Sequence, residues 1–195
     1  MSRSRRDQIL AAALAEFTAH GVAGASIEDI RRRSGASVGS IYHHFDGKDE
    51  IAGALAVEGL GSYQQGFLAS LADARSTRAG VQDAVRHHIG WIAEHRDLAR
   101  FLLLGGGDAR ATGTTQRRLR ELNRRFFAGV QSWTAPRVRA GELRDLGPEL
   151  LTALWIGPSQ ELARHWLAGR IQMSLTDAAT ELAGAAWRSL KTGGD

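Results

Sequence analysis

The segment Ser37-Val38-Gly39-Ser40-Ile41-Tyr42-His43-His44-Phe45 crowds polar groups that suit contact with a nucleic acid. Ser37 and Ser40 can donate to a phosphate or a base edge. Tyr42 offers a hydroxyl to phosphate, and His43 is the longest polar group set to face a groove. Gly39 has no side chain, so another backbone can come close there. Ile41 and Phe45 lie four apart and are apolar, which gives the same segment a face to bury. Lys48 follows at the start of the next helical stretch, where backbone donors and the helix dipole also attract phosphate.

Other chemistries find less support. The sequence sets no nucleophile, base and orienting group together, so it points away from an enzyme. His87, His88 and His95 are not joined by a carboxylate at the spacing of a clear metal triad. Gly105-Gly106-Gly107 lacks the lysine and serine of a phosphate loop. The absence of cysteine excludes a disulfide scaffold, a cysteine nucleophile and a thiolate metal site. No metal or cofactor is implied.

These residues sit in a chain of 195 with 43% hydrophobic and 24% charged residues, the balance of a globular protein rather than a disordered one. No apolar run is long enough to span a membrane and Met1 is followed by charge, so the chain reads as intracellular, hence cytoplasmic. The net charge of +4 permits an anionic partner. The cations are 23 arginines and two lysines, and arginine is the better fork for phosphate and carboxylate.

Almost every stretch that must position these groups reads as helix, because alanine, leucine and arginine abound and β-branched alternation is absent. Ser4-x-x-Asp7 opens a first helix with Ile9, Leu10, Ala13, Leu14 and Phe17 inward, and Gly21 sits at its end. Ser26-x-x-Asp29 opens a second, ended by Gly35, and Ser37 begins a third. Three helices in under 50 residues, with a glycine turn between the second and third, follow helix-turn-helix grammar, in which the last helix enters the major groove. Asp46 is a candidate cap for a fourth helix from Lys48 to near Ser70. Its Gly53, Gly59, Gly61 and Gly66 require close packing on both sides. Further helices follow: one after Asp73 to Gly80, one from Asp97 to Leu104, and a long one through Leu119, Leu122, Phe126, Val130 and Trp133. A break is expected from Pro136 to Gly147. Pro148 opens the next helix, Pro158 should kink it, and Ser174 caps the last. Gly105 through Gly113 reads as the clearest loop.

The run from Ile30 to Ile51, with Tyr42-His43-His44-Phe45 followed by Lys48 and the acidic Asp49, resembles the DNA-binding segment of TetR-family transcriptional regulators. The resemblance is sharp over residues 5–55 and architectural beyond. It implies an all-α protein: a three-helix head over 1–48, and a larger helical ligand-binding and dimerisation domain over 49–195. Such proteins are homodimers, usually repressors that leave a near-palindromic operator when a small molecule binds. By the same resemblance His44 and Ser26 are phosphate contacts. Val38 stands where many relatives carry a polar or basic residue; it could touch a thymine methyl or weaken readout. Arg31 replaces a residue that is usually small. The candidate DNA-binding set is therefore Ser26, Ser37, Val38, Gly39, Ser40, Tyr42, His43, His44 and Lys48. Residues 1–48 carry only seven cations against five acids, so binding there rests on a few placed contacts doubled by dimerisation.

For the regulatory region the candidate effector residues are Trp91, Phe101, Phe126 and Trp155, with His88, Asn123 and Gln160 as polar anchors, which suits an apolar or aromatic small molecule. Aromatic stripes of this spacing also serve as plain core. Leu162, Trp166, Leu182 and Trp187 are candidate dimer residues, or ordinary intramolecular core. The arginines between 110 and 144, nine against two acids, form either a solvated face or an anion site. A helical small-molecule-binding protein with weak or no specific DNA readout remains the alternative. An activator is as compatible with the sequence as a repressor.

Overall fold

The computed structural model describes residues 4–105 and 113–193, and most of them are helical. The helices are α1 (Arg5–Gly24), α2 (Ile27–Ser34), α3 (Val38–His44), α4 (Lys48–Ala72), α5 (Thr77–Glu94), α6 (Arg96–Leu104), α7 (Gly113–Arg139), α8 (Pro148–Trp155), α9 (Gly157–Leu167) and α10 (Leu175–Leu190). The only strand-like pairing among the described residues is an isolated bridge between Leu143 and Lys191. Among these helices none is long and apolar enough to cross a membrane.

The caps lie where the serines predict them. Ser4 and Asp7 form a reciprocal capping box, and Ser26, Ser37 and Ser174 each accept a backbone N–H from three residues on. Four local readings shift. The N–H of Asp46 bonds the Glu50 carboxylate, and the first backbone bond of α4 runs from Ile51 to the Gly47 carbonyl, so Asp46 does not cap the helix. Ser76 caps α5, which therefore starts before Gly80 rather than after it. Pro136 lies within α7, whose backbone continues to Arg139; the turn comes at Gly141, with φ of 72°. A proline one turn from a helix end removes a single hydrogen bond, which the last turn tolerates. Pro158 does not kink a continuous helix. The helix stops at Trp155 and Pro158 occupies the first turn of α9, where its missing N–H has no intrahelical partner to lose. Most of the expected glycine loop, residues 106–112, lies outside the described residues.

The described residues form two compact units, one within Met1–Gly61 and Arg96–Leu122, the other within Ser62–His95 and Asn123–Asp195. In the first, Ile9, Ala13, Phe17, Ile30, Ile41, Phe45, Ile51 and Leu119 are buried together. In the second, α10 packs along α5, α8 packs on α10, and α9 packs on both α5 and α10. The glycines of α4 mark close approaches. An added Cβ would meet Thr115 at Gly53 and Leu98 at Gly59, within the first unit, and His87 at 2.3 Å from Gly66, within the second. Gly80 of α5 is likewise covered by the Trp133 ring, 2.3 Å from where a Cβ would stand.

Candidate nucleic-acid interface and effector site

The α2–α3 turn is built from backbone chemistry. Gly35 takes the left-handed conformation at φ 65° and returns its N–H to the Arg31 carbonyl. The Ala36 N–H bonds the Ser34 hydroxyl at 3.2 Å, and the Ala36 side chain is buried. This turn delivers Ser37, whose hydroxyl oxygen accepts from the Ser40 N–H at 3.1 Å. Ile41 is fully buried and Phe45 nearly so, which fixes the rotation of α3 about its axis. The opposite face is left to solvent. Val38 is 47% and Tyr42 53% exposed, and Gly39, His43, His44 and Ser37 are exposed as well; Ser40 is half-buried. Val38 and Tyr42 lie one turn apart, so they share a face.

Ser26 and Lys48 are already occupied. The Ser26 hydroxyl donates to Asp29 and accepts its N–H, and this bonding holds the Asp29 carboxyl below its ordinary range. The Lys48 ammonium donates to the Ala23 and Ala25 carbonyls, at 2.9 and 3.0 Å, tying the α1–α2 link to the start of α4. One ammonium proton remains for a phosphate. The head arginines are paired too. Arg31 forks onto Glu28 with contacts of 2.8 and 2.7 Å, Arg32 meets Asp29, Arg33 meets Glu16, and Arg6 meets Glu58. The Arg31 fork lowers the Glu28 carboxyl and raises the guanidinium.

In the second unit, four of the proposed effector residues, His88, Trp91, Phe126 and Trp155, meet through two rings that sequence reasoning missed, Tyr63 and Phe67. The Tyr63 ring packs on Trp91 at 5.5 Å and on Phe126 at 6.5 Å; Phe67 packs on Phe126 at 5.2 Å and on Trp155 at 5.8 Å. The Tyr63 hydroxyl lies 3.0 Å from His88 Nδ1. Burial holds His88 neutral, with its pKa pushed down to about 4, and raises the Tyr63 phenol far above its ordinary value. His87 bonds the Tyr63 carbonyl and His95 the Trp91 carbonyl, each at 3.0 Å. Asn123 accepts from the buried Gln64 at 2.8 Å, and Trp155 donates to the Val81 carbonyl at 2.9 Å. Gln160 is half-buried on α9. Phe101 is not part of this group: it is buried in the first unit, stacked on Phe17 at 6.0 Å. The signal for Tyr63 and Phe67 was their four-residue spacing on α4, which the four glycines of that helix obscure.

Arg117, Arg118, Arg120, Arg124, Arg125 and Arg139 are exposed, whereas Arg137 is half-buried with its guanidinium 3.8 Å from the Trp133 ring centre. Arg117 and Arg118 line an open groove of about 380 Å³ in the first unit, with Val57, Thr114, Glu121 and Leu122. Leu162, Trp166, Leu182 and Trp187 are all half-buried. On α9 the buried stripe is Ser159, Ala163 and Leu167, and Leu162 and Trp166 share one shoulder of it. On α10 Leu182 and Trp187 stand about 140° apart at 3.6 residues per turn, on opposite shoulders of the stripe Ala183, Ala186 and Leu190.

Residues 9–55 match the family described as "Bacterial regulatory proteins, tetR family". The chain is 29% identical over 141 residues to the HTH-type transcriptional regulator SrpR of Pseudomonas putida, covering 71% of this chain and 63% of that protein. It is 28% identical over 106 residues to the HTH-type transcriptional repressor KstR2 of Mycobacterium tuberculosis, covering 51% of this chain and 53% of that one. The aligned parts thus span under two thirds of these curated relatives. In three dimensions it resembles FadR from Bacillus subtilis in complex with stearoyl-CoA, with a TM-score of 0.79 at 16% identity, over 94% of this chain and 98% of that one. At that identity the likeness is one of fold.

Proposed function

We propose that this chain, a member of the tetR family of bacterial regulatory proteins through its N-terminal domain, is a sequence-specific DNA-binding repressor that acts as a homodimer and responds to a small molecule. The observation that carries the reading is the α3 face: Val38, Gly39, Tyr42 and His43 stand in solvent while Ile41 and Phe45 lock the helix from behind. A short helix held this rigidly, with a valine and a tyrosine exposed one turn apart, suits insertion in a major groove. Ser37, Ser40, His44 and the remaining proton of Lys48 supply phosphate contacts that set its register, with Ser26 contributing once Asp29 yields. Residues 1–48 form the DNA-reading part and residues 49–195 the effector and dimer part.

Two heads would enter successive major grooves about 34–36 Å apart on a near-palindrome. The effector is apolar or aromatic and binds among Trp91, Phe126 and Trp155. It shifts the dimer towards a state that fits DNA less well, by no more than its difference in affinity for the two states. The protein is a cytoplasmic regulator and not an enzyme. The stearoyl-CoA bound by the Bacillus subtilis neighbour does not set the effector class here, since the rings that would line the site are this chain's own. Internal pairing of the head arginines favours the second reading, a small-molecule-binding protein with weak DNA readout.

Selection from random duplex DNA with the purified chain tests the proposal. The expected product is an inverted repeat that binds two chains. Enrichment of no common sequence by ligand-free protein would overturn it in favour of the second reading.

A further inference from the structure

Four buried side-chain nitrogens of the second unit have no hydrogen-bond partner among the described residues: His88 Nε2, Trp91 Nε1, Trp133 Nε1 and Arg137 Nε. They are not scattered. His88 and Trp91 lie one turn apart on α5, and Trp133 and Arg137 one turn apart on α7. A line of rings joins the two pairs, from Trp91 through Tyr63, Phe67 and Trp155 to Trp133, with successive centroids 5.5, 6.1, 5.8 and 5.9 Å apart.

All four are donors. The indole and guanidinium nitrogens have no acceptor capacity. For His88 the Tyr63 hydroxyl decides. If the phenol donates to Nδ1, the imidazole proton sits on Nε2 and one buried group stays unpaired. If Nδ1 donates instead, both the phenol proton and the Nε2 lone pair are left over. The second arrangement leaves one more buried group unpaired, so the first wins and Nε2 carries the proton. Burial supports it by keeping the phenol protonated and the imidazole neutral.

A core selected for stability alone pairs or expels such groups. A donor-only set lined by rings that meet tilted or edge-on is instead complementary to an aromatic molecule that brings acceptors. At the α5 end both donors are neutral, so a carboxylate there would be a buried charge facing two dipoles, whereas a carbonyl oxygen has lone pairs for both. We propose that the aromatic cluster of the second unit takes a planar, uncharged aromatic carbonyl compound, its oxygen held by His88 Nε2 and Trp91 Nε1. This deepens, and rests on, the reading of that cluster as the effector site.

The test uses matched probes and the full chain. Fluorenone is titrated against fluorene, and 1,4-naphthoquinone against naphthalene, by calorimetry; the chain has no cysteine to consume the quinone. Each carbonyl compound should bind about tenfold more tightly than its hydrocarbon, the scale of one or two well-formed hydrogen bonds. Trp91→Phe keeps an aromatic ring and removes the donor. It should lower carbonyl-compound affinity about tenfold and leave hydrocarbon affinity within about twofold. His88→Phe should act in the same direction, with folding of both variants checked by thermal melting. Equal affinity within the pairs, binding of none of the four, or a Trp91→Phe loss shared by the hydrocarbons would each overturn the inference. Operator binding by the same preparation separates this from the broader reading. Specific DNA binding without a carbonyl preference defeats the inference alone, and a carbonyl preference without specific DNA binding defeats the repressor reading alone.

Discussion

On α3 the groups that face water differ in what they can recognise. Tyr42 offers a single hydroxyl suited to phosphate, which carries no sequence information, whereas His43 presents ring nitrogens suited to base edges. Tyr42→Phe should therefore weaken binding to all duplexes alike, by about three- to tenfold. His43→Ala should change which sequence is preferred. Both are read by anisotropy across a small operator panel, and an unchanged preference in His43→Ala would remove that side chain from the groove. His88 gives a prediction of another kind. Its pKa is 6.5 in the unfolded chain and about 4 when folded, because burial disfavours the charged ring. The unfolded state thus binds the proton first, so the stabilising contribution is complete above pH 6.5 and is lost as the pH falls through 4. The loss amounts to about 3 kcal/mol over that interval. His88→Phe should flatten this limb of the stability curve in urea melts at pH 7 and pH 4.5, compared with the parent; parallel curves would show that His88 is not held neutral. From sequence, His88 could be named as a polar anchor in an apolar face. Its partner Tyr63 could not, because it lies on another helix and periodicity does not give the rotation of one helix against the next.

Among the elements, caps were the most legible feature and glycine and proline the least. A serine three residues before an N–H acts within one turn, so Ser4, Ser26, Ser37 and Ser174 can be read locally. Gly80 and Pro136 read as breaks but lie inside helices. The Trp133 ring needs the bare backbone at Gly80, and Pro136 stands where the helix is about to end. The same logic makes Gly66→Ala informative. Helix propensity alone favours alanine by about 1 kcal/mol. The new Cβ would stand 2.3 Å from His87 Cε1, and moving that ring breaks its bond to the Tyr63 carbonyl. Net destabilisation of about 1–3 kcal/mol is expected in denaturant melts, and a stabilised variant would show that the contact is not tight. Phe101 teaches a related lesson. Its type and spacing fitted an effector residue as well as a core residue, and only packing shows it stacked on Phe17.

For the whole molecule, helical class followed from composition, and the helix-turn-helix segment that the family model matches followed from one short motif, but the grouping of helices did not. The packing units join the start of α4, α6 and the start of α7 with the first three helices, a long-range arrangement that no local pattern encodes. The candidate dimer residues show the same limit. Leu162 and Trp166 share a shoulder of α9, whereas Leu182 and Trp187 stand on opposite shoulders of α10, so one partner surface can cover the first pair more readily than the second. Leu162→Glu should shift the chain from dimer to monomer in sedimentation and reduce operator affinity at least tenfold, because each head then binds alone. Unchanged mass would move the interface elsewhere. The most direct test of the account is the affinity of the ligand-free protein for its selected inverted repeat and for a shuffled duplex, at about 50 and 200 mM salt. A preference for the repeat that survives the higher salt is the predicted result. Equal affinity for both duplexes, falling together as salt rises, would contradict it.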